Sequence, residues 1–111
     1  MALTTDQMNQ LLDSVRAYLN INWPDENRDA RLRQVLLAGM AYIDSLMPAP
    51  LDYTIDGEAQ SLLLIYVMYD ESHAADDFGK NYAARIDTLK WQEEVRAYRA
   101  AQEDSEGSDL S

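Results

Sequence analysis

Four carboxylates and the chain's single imidazole fall within eight positions: Asp70, Glu71, His73, Asp76 and Asp77. Carboxylate oxygens and a neutral imidazole are the donors that hold divalent cations. The same groups can move protons in general acid–base catalysis. A cation site needs a defined ligand spacing, and this cluster matches no ligand-loop pattern such as the calcium-binding signature. The competing reading is a helix end and loop whose acids stay in water. Nucleophilic chemistry has less to draw on, because a hydrolase needs a nucleophile, a base and an orienting group held together. The chain has no cysteine, and Ser61, Ser72 and Thr54 stand beside no glycine-rich elbow. Its glycines, at 39, 57, 79 and 107, are too scattered to form a phosphate-cradling loop. No catalytic, cofactor-binding or metal-ligating residue is therefore assigned, no cofactor is expected, and the expectation is a protein that is not an enzyme.

Charge narrows the partners. Nine Lys and Arg stand against 20 Asp and Glu, a formal net charge of −11. Neutralising phosphates takes clustered Lys and Arg, so direct nucleic-acid binding is not expected. Docking on an anionic membrane is disfavoured on the same ground. The longest apolar run, Leu62–Tyr69, has eight residues, against the roughly 20 that a membrane span needs. The opening "MALTTDQMNQ" has neither a basic nor an apolar leader region, so no signal peptide is expected. The absence of cysteine fits a reducing compartment. The basic residues, Arg28, Arg31 and Arg33 in one group and Arg85, Lys90, Arg96 and Arg99 in another, are interleaved with acids. Such patterns favour pairing along a helix, as for Asp29 with Arg33 at i,i+4, or salt bridges between subunits.

The elements that must position these residues are helices. Met8, Leu11, Leu12, Val15 and Leu19 recur at three- and four-residue steps and predict a helix over Thr5–Asn20. Thr4 and Gln7 have capping-box spacing. Pro24 breaks the pattern. A second helix is expected from about Asn27 to Met47, striped by Leu32, Val35, Leu36, Met40 and Ile43. Gly39 in its middle costs roughly 1 kcal/mol against alanine and points to close approach of another helix. After the "PAP" loop, Asp56 or Gly57 could start a third helix over about Glu58–Ser72. A fourth is expected over about Asn81–Gln102. No stretch alternates cleanly enough for a strand. The fold expected is all-α: a bundle of about four helices in one domain, residues 1–102, with a flexible, disordered acidic tail at 103–111.

Two helices carry more apolar surface than one small core uses. The third is apolar on every side, and a helix hydrophobic all round is buried all round. Leu62, Leu63, Tyr66, Val67 and Tyr69 are its core candidates. On the fourth, Tyr82, Ile86 and Leu89 fall within about 60° of each other, while Trp91, Val95 and Tyr98 cluster about 180° away. Either the helix bends near Lys90 and all six serve one core, or its second half packs on something else. Trp and Tyr suit interface cores, so Trp91, Val95 and Tyr98 are the candidate subunit interface.

The order of these segments is similar to that of a known family. "LLDSVRAYLNI", the acidic turn "PDENRDA", "LRQVLLAGMAYIDSLM", a proline loop and the apolar "EAQSLLLIYVMY" resemble the head–tail connector, or head-completion adaptor, proteins of long-tailed double-stranded DNA phages. The similarity spans roughly residues 8–100. Its motifs are a Tyr-Leu-x-Ile helix end, an acidic loop, an Ala-x-x-Tyr-Ile helix and a buried third helix. The segment "DESHAADDFGKN" departs from the family by its acidity. The resemblance implies a small all-α structural adaptor that assembles as a homo-oligomeric ring under the portal protein and links the capsid to head-closure or tail-completion proteins. It implies a place at the head–tail junction of the virion, and in the host cytoplasm before assembly. Two other readings stay open: a small acidic inhibitor that mimics nucleic acid, and a regulatory helical dimer.

Overall fold

A computed structural model describes residues 3–21, 25–55 and 57–109. Its elements are helices throughout: α1 (Thr5–Leu19), α2 (Glu26–Asp44), α3 (Glu58–Glu71), α4 (Ala75–Asn81) and α5 (Ala83–Asp109). No strand occurs among the described residues. Pro24 and Asp56, read as a helix breaker and a possible helix start, lie outside them, as do residues 110 and 111.

The helix starts follow local chemistry. The Thr4 hydroxyl accepts from the Gln7 N–H at 3.1 Å, and the Gln7 side chain accepts from the Thr4 N–H at 2.9 Å. This reciprocal box satisfies two donors that the first turn leaves without partners. Asp25 caps α2 by accepting from the Arg28 N–H at 3.1 Å. Asn20 ends α1 in the left-handed region at φ 58°, a conformation asparagine tolerates well.

Three boundaries differ from expectation. α2 stops at Asp44, short of Met47. There the Asp44 carboxylate accepts from the Leu51 N–H at 3.0 Å and from the Tyr53 hydroxyl at 2.7 Å, which folds the proline loop back onto the helix end. Burial and the Asp44 carboxylate together push the Tyr53 hydroxyl's pKa well up. The stretch expected to be loop before the last helix contains α4. The last helix continues to Asp109 over residues expected to form a disordered tail from 103 onward.

The core lies where α1, α2 and α3 meet. Leu11, Leu12 and Val15 of α1, Leu32, Leu36 and Ile43 of α2, and Leu62, Leu63 and Val67 of α3 are all buried. Gly39 sets the spacing between α2 and α3. A Cβ there would sit 2.7 Å from Tyr66 Cδ1 and 2.8 Å from Leu63 Cδ1, nearer than carbon atoms pack. Phe78 of α4, at 0% exposure, closes the other side. Its ring stands edge-on to Tyr42, Tyr66 and Tyr69 and stacks on Tyr82, with centroids 5.3–6.2 Å apart. Such pairs add to the burial of the rings themselves. Gly79 lets Tyr42 lie against α4, since a Cβ there would fall 2.5 Å from the Tyr42 hydroxyl.

Two substitutions test this packing. Gly39→Ala gains roughly 1 kcal/mol of helix propensity but overpacks the α2–α3 contact, at a cost of about 1–3 kcal/mol. The expected outcome is a net loss of stability, read as a lower urea midpoint with unchanged slope. Phe78→Ala is expected to cost about 3–5 kcal/mol, a large share of a small domain's stability.

Candidate functional site

The acidic cluster is a surface feature. Asp70, Glu71, His73 and Asp76 line an open groove with Arg31 and Ala75, and Asp77 lies outside that lining. Glu71 is occupied by Arg31, whose guanidinium reaches both carboxylate oxygens at 3.2 Å. No group of three or more His, Asp or Glu side chains converges to hold a metal ion among the described residues. His73 is exposed and sits at φ 59°. It ends α3 by donating its N–H to Asp70 O at 3.0 Å, while Ala74 N–H reaches back to Tyr69 O at 2.8 Å. This is the left-handed stop that glycine usually supplies. Among the described residues no charged side chain is buried.

The basic residues tie helices together. Asp29 does not pair with Arg33 as the i,i+4 spacing suggests. It takes Arg16 of α1 in a two-pronged contact, Nε to Oδ1 at 3.2 Å and the terminal amine to Oδ2 at 2.6 Å. A planar fork meeting a carboxylate is worth more than a single-point pair along one helix. Arg85 of α5 grips Glu58 at the start of α3 and lies over the Tyr82 ring, 5.4 Å from its centre. Arg16 and Arg85 hold the Asp29 and Glu58 carboxyls below their ordinary values, chiefly by hydrogen bonding. Arg33, Lys90 and Arg99 make no ion pair among the described residues.

α5 carries the unpartnered apolar surface. It is 27 residues long, about 40 Å at 1.5 Å per residue. Ile86 and Leu89 are buried against the core and Tyr82, just before α5, packs on it. Beyond Leu89 no described side chain of the helix is buried. Trp91 and Tyr98 are each 64% exposed and Val95 is half-buried. No break separates the two halves, so a bend that gathers all six residues into one core is not what the backbone does. The core candidates of α3 divide: Leu62, Leu63 and Val67 are buried, whereas Tyr66 and Tyr69 are half-buried and border the core.

A second apolar surface was not read from sequence. It is a groove between the start of α1 and the second half of α2, with Leu3 and Met8 on one wall and Leu37, Met40 and Leu51 on the other. Leu37 is 56% exposed on its rim. The signal for it was available, since Leu37 lies off the α2 core stripe, but nothing local marks the facing wall from α1. No family model, curated protein or solved structure matches the chain. Among the described residues no helix is long and apolar enough to cross a membrane.

Two measurements check the electrostatics and the α3 stop. Asp29 and Glu58 are depressed below ordinary values of 3.8 and 4.5. Their contribution is therefore complete above that range and is lost as pH falls through the depressed values. Thermal melts of the wild type and Asp29→Asn should differ most near neutral pH, and the gap should close below about pH 4. His73→Gly relieves a left-handed residue that costs roughly 1–2 kcal/mol. A higher melting temperature is the expected result.

Proposed function

We propose that the protein is a structural assembly subunit: a head–tail connector, or head-completion adaptor, of a long-tailed DNA phage. It assembles as a ring beneath the portal and presents a surface to head-closure or tail-completion proteins. The observation that carries the reading is α5, whose second half displays Trp91, Val95 and Tyr98 with no core of its own to cover them. Large exposed apolar faces on a small domain mark interaction surfaces. The resemblance in segment order over roughly residues 8–100 supplies the kind of assembly. The mechanism is recognition, ring closure and docking, with no bond made or broken.

Net charge has a use in this setting. A ring through which DNA passes must not hold it, and a charge of −11 repels phosphate. The free protein belongs in the host cytoplasm before it joins the virion. A nucleic-acid mimic would instead bind through its acids, with affinity falling steeply in salt. A regulatory dimer would stop at two copies.

Light scattering over a concentration series, at low and high salt, tests the proposal. The expected result is a closed, salt-resistant oligomer of many copies. A monomer or dimer at every concentration, with the portal present as well as absent, overturns it. The double variant Trp91→Ser with Tyr98→Asp should keep its melting temperature, because exposed substitutions change stability by no more than about 0.5 kcal/mol. It should lose assembly.

A further inference from the structure

We propose that α5 of one copy packs in parallel against α5 of a neighbouring copy, with Glu94 of the first meeting Arg99 of the second. The inference rests on the assembly reading above and names its contact. Ala84, Thr88, Trp91, Val95, Tyr98 and Gln102 follow one another at steps of four, three, four, three and four residues. This is the spacing of a coiled-coil seam, and it keeps all six within about 80° of the helix. Five of them are exposed and Val95 is half-buried, while Ile86 and Leu89 hold the opposite side of the helix to the core. The polar members of the seam already have partners. Thr88 Oγ1 donates to Ala84 O at 2.9 Å, and the Gln102 amide donates to the Tyr98 hydroxyl at 2.8 Å. Covering the seam therefore does not strand these donors.

Charge chooses the partner and the direction. The two flanks of the seam differ: Asp87, Glu94 and Ala101 stand on one side, and Arg85, Gln92 and Arg99 on the other. Flanking charges of this kind set partner and orientation in coiled coils. In a parallel pair each residue of the first flank meets the neighbour's residue about five positions further on, in its second flank. Asp87 then meets Gln92, a neutral contact, and Glu94 meets Arg99. Neither Glu94 nor Arg99 has an ion pair among the described residues, and Arg85 is held by Glu58 within its own copy. The other charges lie farther round the helix. Arg96, beyond Arg99, is paired with Glu93 at 3.1 Å. Glu103, one turn after Arg99, and Lys90, one turn before Glu94, form no ion pair among the described residues. Run antiparallel, each flank meets its own kind, which sets Asp87 and Glu94 against acids and Arg85 and Arg99 against cations. Because one flank offers the acid and the other the cation, the parallel contact passes from copy to copy and closes as a ring when more than two copies share it.

A charge-swap cycle tests the contact. Glu94→Arg, Arg99→Glu and the double variant carrying both all replace exposed side chains, so each should keep the wild-type melting temperature. Light scattering over a concentration series at low salt reads the midpoint of assembly. Each single variant should raise that midpoint by about tenfold or more, since like charges then face each other across the contact. The double variant should return it to the wild-type value. At high salt the variants should converge, because the apolar seam holds the copies together. Single variants that assemble as well as an oligomeric wild type overturn the inference and leave the assembly reading standing; that is the outcome an antiparallel pair gives, where each flank meets its own kind before and after the swap. Impaired single variants that the double variant does not rescue overturn it as well. A wild type that is monomeric at every concentration, with the portal present as well as absent, removes both.

Discussion

A helix that is apolar on all sides stays in water only if other elements cover most of it, and α3 imposes that demand on everything else: one side is fully buried, and Leu64, Ile65 and Met68 are left half-buried. Leu62, Leu63 and Val67 are wholly buried. α2 reaches them because Gly39 removes the Cβ that would strike Leu63 and Tyr66. α1 covers a second side with Leu11, Leu12 and Val15. Another side is closed by Phe78, held among Tyr42, Tyr66, Tyr69 and Tyr82. The half-buried tyrosines suit that border, since each offers an apolar ring inward and a hydroxyl toward water.

Past Leu89, α5 leaves the core. Ile86 and Leu89 complete the packing, and the helix then runs on for 20 residues to Asp109 with no further buried side chain among those described. Near Lys90 the apolar face of the helix therefore turns away from the core. The first turns serve the protomer, and Trp91, Val95 and Tyr98 face outward. The Arg85–Glu58 contact lies just before that switch. It pins the start of α5 to the start of α3 and so aims the outgoing half of the helix.

Much of this was legible in the residues. The α1 start is written in Thr4 and Gln7, and the α3 core in its unbroken apolar run. The outward face of α5 follows from helical periodicity alone. What escaped was non-local or too short for periodicity. Seven residues of α4 span two turns, too few to show a stripe, and the acids before Phe78 resemble a solvated loop. Those acids are instead well placed in the first turn of a helix, with Lys80 in the last. Asp29 and Arg33 have pairing spacing, yet Arg16 wins the carboxylate from another helix. The Asp44 clamp on Leu51 and Tyr53 depends on how a proline loop returns, which no local pattern dictates. The α1–α2 groove is likewise built from two segments, and only their packing places Met8 opposite Leu37.

Under the proposed assembly, an acidic protein faces a constraint of its own. With a net charge of −11, two copies repel at long range, within the limit of screening. A contact between them must then be carried by apolar area and by the few cations placed at it. Most arginines here are already committed: Arg16 to Asp29, Arg28 and Arg31 to Glu71, Arg85 to Glu58, Arg96 to Glu93. Arg33 and Arg99 remain, one on the groove and one on the α5 face. The two surfaces that are apolar are thus also the two that keep an arginine in reserve. Repulsion from the excess of acids elsewhere on the molecule then works in favour of specificity.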